Sequence, residues 1–340
     1  KKRILSYNME MILFRIILLF TLCAWMPSIF AEKSKRGKYY KFTEVCMGTD
    51  FSILIDEDNY KMAESSAKAA FSEAQRLNNV FSDYKSESEL SLFSKRSGDE
   101  LFHPLSNDLI EVFRTSKELS VETDGAFDIT IGPFSRLWRI SRFRKMLPPQ
   151  NKLKDAMKRV GYEKLILDFE NKQGKLAKSG MVLDLGGIAK GYTADRMLDV
   201  MKANKINRVL IDAGGDLLAG DAPRGKMGWK IDIGGRKHPD LPSIILSNKA
   251  VATSGDIEQS ITLNGKSYSH LINPKSGIGL TTQAQISVIA PTCMQADSLA
   301  SASLVLGRLQ GIKFLKSKPL VKGYHVQNIN NNVILTKTHN

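Results

Sequence analysis

The chain has 340 residues, 42% hydrophobic and 25% charged, with a formal net charge of +14. That length admits one large domain or two ordinary ones, and the ordinary composition, without low-complexity tracts or fixed-period repeats, excludes a disordered chain and a repeat array. The excess of cations suits nucleic acid, lipid head groups or a phosphorylated ligand. No nucleic-acid-binding motif accompanies it, and much of the charge is scattered lysine that serves solubility.

The basic stretch Lys1 to Arg15 leads into an apolar segment, Ile16 to Trp25. Its length of about ten residues suits the core of a secretory leader and is short for a membrane span. We expect residues 1–31 to be a signal peptide cleaved after Ala31, or else a retained anchor. Leu22 before Cys23 disfavours a lipoprotein signal. The expected location is periplasmic or exported, at the inner membrane if the segment is retained. Cleavage removes Lys1, Lys2, Arg3 and Arg15 against Glu10 and leaves +11. Of the cysteines, Cys46 and Cys293 then remain, in no CxxC and no metal spacing. They are read as buried small hydrophobes, with one long-range disulfide as the alternative.

Residues 51–55 read as a strand. Over 60–81, Ala63, Ala67, Ala70, Ala74, Leu77 and Phe81 recur at helical spacing. A second helix is predicted over 107–121, with Leu109, Ile110, Phe113 and Leu119 on one side. The basic stretch 139–154, with Pro148-Pro149, reads as a loop or surface excursion. An apolar run at 181–185 precedes a helical segment at 192–203. Strands follow at 164–168, 208–212, 229–233, 243–247 and 284–290, and a helix at 296–307. Strands and helices alternate without a clean βαβ period, which favours an α+β fold over a doubly wound sheet.

Between the apolar run and its helix lies DLGGIAKG, Asp184 to Gly191. A glycine pair at such a turn lets a ligand or ion reach the backbone, and a helix start favours phosphate. Lys190 suits a phosphate and Asp184 a ribose or base donor; the plain alternative is a tight turn with a surface lysine. In Glu122 to Pro133, Gly125 and Gly132 mark turns and Phe127 offers a ring for stacking. VATSG (251–255) is a hydroxyl-rich turn. YSHLINPKSG (268–277) holds His270, one of five histidines. In ADSLASA (296–302), Asp297 and Ser301 are i and i+4 on one helix face. They suit a hard cation such as Mg²⁺, or Asp297 is simply an acid favoured by a helix N-terminus.

Taken together, these segments resemble the ApbE-type FAD:protein FMN transferases, from Met47-Gly-Thr49 to about Gly307. The resemblance rests on Phe81 to Leu90 (FSDYKSESEL), TDGAFDITIGP, DLGGIAKGY, DAGGDL (212–217), VATSGD, YSHLINP and ADSLAS, in family order. It implies a single large ApbE-like domain over 40–335, an α+β fold of mixed sheets flanked by helices. It implies transfer of the FMN half of FAD, with Mg²⁺, onto a Thr or Ser hydroxyl of an acceptor redox protein, with release of AMP. The same resemblance assigns Asp297, Ser301 and the carbonyl of Gly187 to the metal. Met47, Tyr84, Ala126, Phe127, Asp128, Asp184, Lys190 and Leu271 are assigned to the FAD, and His270 becomes the general base. Inner-membrane association is a further expectation, and nucleic acid is not an expected partner. This chain departs from the family pattern at Asn273, where Asp is usual; at Ile278-Gly279, where a residue and proline are usual; and at Ser301, where Thr is usual. The serine keeps the hydroxyl, whereas Asn273 removes a charge near His270. Two alternatives remain: an FAD pyrophosphatase using the same site with water as nucleophile, and a non-catalytic flavin-binding protein of the envelope.

Overall fold

Alternation along the strand at Thr49–Asp56 turns Phe51, Ile53 and Ile55 to one face, where all three are fully buried. The computed structural model describes residues 32–33, 39–233, 242–255, 260–329 and 332–339. The segment 1–31, expected as leader or anchor, and Asp256 of VATSGD lie outside the described residues.

The main sheet has nine strands: β1 (Glu32–Lys33), β2 (Tyr39–Cys46), β3 (Thr49–Asp56), β4 (Val209–Ala213), β5 (Asp216–Ala219), β6 (Lys249–Gly255), β7 (Ala284–Ala290), β8 (Lys322–Ile329) and β9 (Asn332–Lys337). Their order across the sheet is their order along the chain, and each ladder is antiparallel. Every residue of β7 is buried, because its two faces are both covered. Smaller two- and three-stranded sheets sit around the main one. The result is the expected α+β fold, one domain with several sheets flanked by helices.

Most of the helices arise in the excursion between β3 and β4. They are α1 (Tyr60–Phe81), α2 (Glu89–Lys95), α3 (Asn107–Glu122), α4 (Gly132–Arg144), α5 (Gln150–Met157) and α6 (Ala189–Ala203). The last helix, α7 (Cys293–Lys316), follows β7. Asn59, Ser106 and Thr292 cap α1, α3 and α7 by accepting from Met62, Leu109 and Gln295 amides, each at 3.2 Å. The alanine stripe of α1 (Ala63, Ala67, Ala70, Ala74) packs against Phe51, Ile53 and Ile55 and against Ala194, Met197 and Met201 of α6. Small side chains let sheet and helices approach closely there. A second core gathers Leu77, Phe81, Leu109, Phe113, Phe127, Leu185, Ile188, Leu299 and Leu304, with Ile286 of β7 beneath.

The structure corrects three sequence expectations. VATSG (251–255), read as a hydroxyl-rich turn, is most of strand β6 and pairs antiparallel with β7. Residues 139–154 are not a loop: α4 runs to Arg144, and α5 begins at Gln150 beyond the prolines. The inner face of α4, with Phe134, Trp138 and Ser141 at helical spacing, is buried. Arginines on the outer face obscured that period. The helix expected over 296–307 is longer, and it is interrupted at Gly307 (φ 78°, ψ 172°) before it continues to Lys316. Cys46 and Cys293 are both buried and unbridged, so the disulfide alternative falls. Among the described residues, no helix is long and apolar enough to cross a membrane.

Candidate active site

The glycine-rich loop before α6 is shaped by its own acid. The Oδ1 of Asp184 accepts from the Gly186 amide at 2.9 Å, and the Asp184 amide donates to the Ile129 carbonyl at 2.8 Å. The second bond clips DLGG against the TDGAFDITIGP segment. Helix α6 then starts without a side-chain cap from its preceding residue, Ile188. The missing cap comes from another helix: Asp297 Oδ2 accepts from the Gly191 amide at 3.1 Å. Asp195 of α6 returns the service, accepting from the Cys293 and Met294 amides at the start of α7 at 2.8 and 2.9 Å. Each helix thus places a carboxylate on the N-terminus of the other. Only glycine permits this approach at position 191, where a Cβ would lie 2.3 Å from the Cys293 carbonyl oxygen.

This clasp puts four candidate residues together. A Cβ at Gly187 would meet Ser301 Oγ at 3.0 Å and the Phe127 ring at 3.4 Å. Asp297 lies one turn before Ser301 on α7, and both are buried. Ser301 Oγ is 3.1 Å from Ser254 Oγ of β6, which fixes the hydroxyl from the sheet side. Burial pushes the Asp297 carboxyl above the usual carboxylate range, while the Lys190 ammonium pulls it back and Asp216 adds to the rise. Lys190 itself forms an ion pair with the buried Asp216. A buried carboxylate, a hydroxyl one turn away and a close backbone loop form an oxygen donor set that fits a small hard cation. The set has one carboxylate; among the described residues there is no cluster of three or more His, Cys, Asp or Glu that could hold a metal.

A second group forms the rim. Arg139 of α4 meets Asp83 at 2.5 Å and Asp184 at 3.5 Å, and its guanidinium lies 4.0 Å from the ring centroid of exposed Tyr84. Tyr84 and Asp184 are therefore joined through an arginine that sequence reading left out. Met47 (φ 50°) accepts a weak bond at sulfur from Thr193 of α6 at 3.7 Å, and packs between the two cores. Ala126 is buried, its amide donating to the Thr123 carbonyl at 3.1 Å. The carboxylate of Asp128 is directed into its own turn, accepting from the Thr130 amide and hydroxyl at 2.8 and 2.7 Å. Thr130 in turn accepts from the Gly161 amide at 2.7 Å.

His270 comes from a separate element. It follows the strand Lys266–Ser269, and the chain is pinned on either side of it. Ser269 donates to the Leu280 carbonyl at 2.7 Å, and Leu280 donates to the Leu271 carbonyl at 2.8 Å. Leu271 packs against the core that holds Phe127. The hairpin of Ile272–Asn273 with Ile278–Gly279 docks on α4: Trp138 Nε1 donates to the Gly277 carbonyl at 2.8 Å, and its ring lies 5.4 Å from that of Tyr268. Asn273 Oδ1 accepts from the Lys275 amide at 2.9 Å, so the amide shapes this turn as an aspartate would.

Sequence reading missed Asp195, Asp216, Arg139 and Ser254. Asp216 stood in the quoted DAGGDL, where an acid directly after a glycine pair was the available signal; in the structure it is buried beside two positive-φ glycines (Gly214 65°, Gly215 96°).

This fold is shared with solved flavin transferases. The flavin transferase ApbE from Vibrio cholerae superposes with a TM-score of 0.76 at 22% identity, covering 91% of this chain and 98% of that one. The apo flavinyl transferase ApbE from Pseudomonas stutzeri gives 0.77 at 24% identity, covering 91% and 96%. A model of the ApbE family matches residues 47–324, and the chain belongs to that family. Among relatives by sequence, the FAD:protein FMN transferase of Haemophilus influenzae is 29% identical over 305 residues, 85% of this chain and 87% of that protein. That of Escherichia coli K12 is 28% identical over 272 residues, 77% and 76% respectively.

Proposed function

We propose that this ApbE-family flavin transferase moves the FMN moiety of FAD onto a Thr or Ser hydroxyl of an acceptor protein, with Mg²⁺ as activating ion and AMP as leaving group. The observation that carries the reading is the convergence of Gly187, Ser301, Phe127 and the buried Asp297. Asp297, Ser301 and the Gly187 carbonyl would hold the ion, which when bound neutralises charge on the pyrophosphate. The acceptor oxygen forms a bond to the FMN phosphorus as the bond from that phosphorus to the AMP oxygen breaks. The hydroxyl proton passes to His270, and AMP departs with the bridging oxygen. Phe127, Met47 and Leu271 supply apolar surface for the flavin. Tyr84 and Asp184, locked by Arg139, lie at the rim, with Ala126 and Asp128 shaping the loop behind Phe127. Lys190 holds positive charge beside Asp297.

The domain is proposed to span 40–335. Residues 1–31 are proposed as a leader or retained anchor that takes the protein to the periplasmic side, where the acceptor would be a redox protein with a Thr/Ser flavinylation motif. The test incubates the protein with FAD, Mg²⁺ and candidate acceptors from the same genome, followed by in-gel flavin fluorescence and acceptor mass. The expected result is covalent flavin on one acceptor with an equal amount of AMP. FMN and AMP without added acceptor mass would assign a pyrophosphatase instead. FAD that stays bound and intact with Mg²⁺ would assign a binding protein.

A further inference from the structure

Helix α4 buries one face beneath the His270 hairpin and leaves the other bare. Four large apolar side chains stand exposed within eight residues: Ile140 at 51%, Phe143 at 89%, Met146 at 66% and Leu147 at 39%. Ile140 and Phe143 are one turn apart on the outer face, away from buried Phe134, Trp138 and Ser141. Lys145 then takes the left-handed conformation (φ 52°, ψ 40°) and ends the helix, so Met146 and Leu147 continue the patch from its tip. Exposed apolar groups in isolation are ordinary, but a run of four is not.

Along this stretch of chain the charge has one sign. From Ile129 to Lys154 the chain carries seven basic residues and no acidic one. Arg139 is engaged at the rim of the site. Arg136, Arg144, Lys145, Lys152 and Lys154 are exposed, within the apolar run or on either side of it along the chain. Apolar pegs interspersed with cations are the pattern of a surface that sits in a lipid interface, where phosphates meet the cations and acyl chains meet the pegs. Phe143 stands almost wholly clear of its own fold, so a partner that covers it must enclose it on several sides. A bilayer does so without a matching socket, whereas a protein partner would need a pocket and acidic groups in register.

We propose that the outer face of α4 and its tip dock on an anionic lipid bilayer, with Phe143 and Met146 entering the interface and Arg136, Arg144, Lys145, Lys152 and Lys154 meeting lipid phosphates. This docking is independent of flavin transfer and of whatever residues 1–31 do. A local probe in the full chain tests it. In a Phe143→Trp variant, the emission added over the wild-type background should shift to the blue on vesicles of phosphatidylcholine mixed with phosphatidylglycerol. Brominated acyl chains should quench it. Charge reversal at Arg144 and Lys145 to Glu, in the same variant, should weaken partition roughly tenfold or more, and high salt should act in the same direction. Exposed positions are substituted throughout, and a retained far-ultraviolet spectrum checks the fold. An added emission that stays water-like on these vesicles would overturn the proposal. So would equal insertion into phosphatidylcholine alone, or insertion indifferent to charge reversal. A shift seen only on adding the acceptor protein would give this face to the acceptor.

Discussion

Asp297 has two jobs that a single substitution separates. Its carboxylate caps α6 through Gly191 and is the one charged group among the three proposed ligands, with Ser301 and the Gly187 carbonyl. Asp297→Ala should abolish Mg²⁺-dependent transfer at every Mg²⁺ concentration. The lost cap should lower stability by about 1 kcal/mol, in a protein that still folds. Transfer at the wild-type rate under limiting Mg²⁺ would refute the assignment. Asp216 makes a subtler test. It pairs with Lys190, whose ammonium also acts on Asp297. Asp216→Asn should leave Lys190 with Asp297 as its nearest counter-ion. Stability should fall by about 1–3 kcal/mol, a discounted figure because Lys190 is partly exposed. The Mg²⁺ needed for half-maximal transfer should rise, since the cation now competes with the lysine. A chemical denaturation curve and a Mg²⁺ titration that both match wild type would remove Asp216 from the site. At this scale the sequence showed which residue types could carry chemistry, but not their partners. Asp184, Lys190 and Asp297 could be named from motifs, whereas the partners Arg139, Asp195 and Asp216 are set by contacts between elements far apart in the chain.

The elements were legible where one face is apolar at a fixed period, as in α1, β3 and β7. They were misread where arginines interrupt the apolar spacing and a proline pair follows, as in α4. That misreading matters, because α4 is the platform for the hairpin behind His270. Gly277 sits at φ 69°, and a Cβ there would come 2.5 Å from the Phe134 ring. Gly277→Ala should therefore push the hairpin off α4 and strain the Trp138 bond, costing about 1–3 kcal/mol. Compared with His270→Asn, it should behave as a positioning change. The histidine variant should lose roughly 10²–10⁴-fold in single-turnover transfer with its melting temperature and FAD affinity nearly unchanged. The glycine variant should melt earlier and lose less rate. A His270→Asn protein that is destabilised yet active would reduce the histidine to a prop for the turn.

Across the whole molecule, the response to acid is a contest between buried groups of opposite kind. His325 on β8 is almost fully buried, and burial with the nearby Arg308 cation holds it down at about 4. An unfolded histidine titrates near ~6.5. Between those values the unfolded chain binds a proton that the folded chain refuses. The His325 contribution is therefore complete above about pH 6.5 and is lost as pH falls toward 4. Asp128 and Asp195 act in reverse. Burial raises both to about 6, against ~3.9 unfolded, so the folded chain takes up protons first and their cost is relieved as pH falls through the same window. With these terms opposed, no single slope identifies either, and differences between variants are the measurement that does. The stability of His325→Leu relative to wild type should improve steadily from pH 7 to pH 4.5, by on the order of 2–3 kcal/mol. That of Asp128→Asn relative to wild type should change in the opposite direction over the same range, from an advantage at neutral pH to none or a deficit in acid. Denaturation curves for both variants that run parallel to wild type across this range would show that neither group changes its protonation on folding.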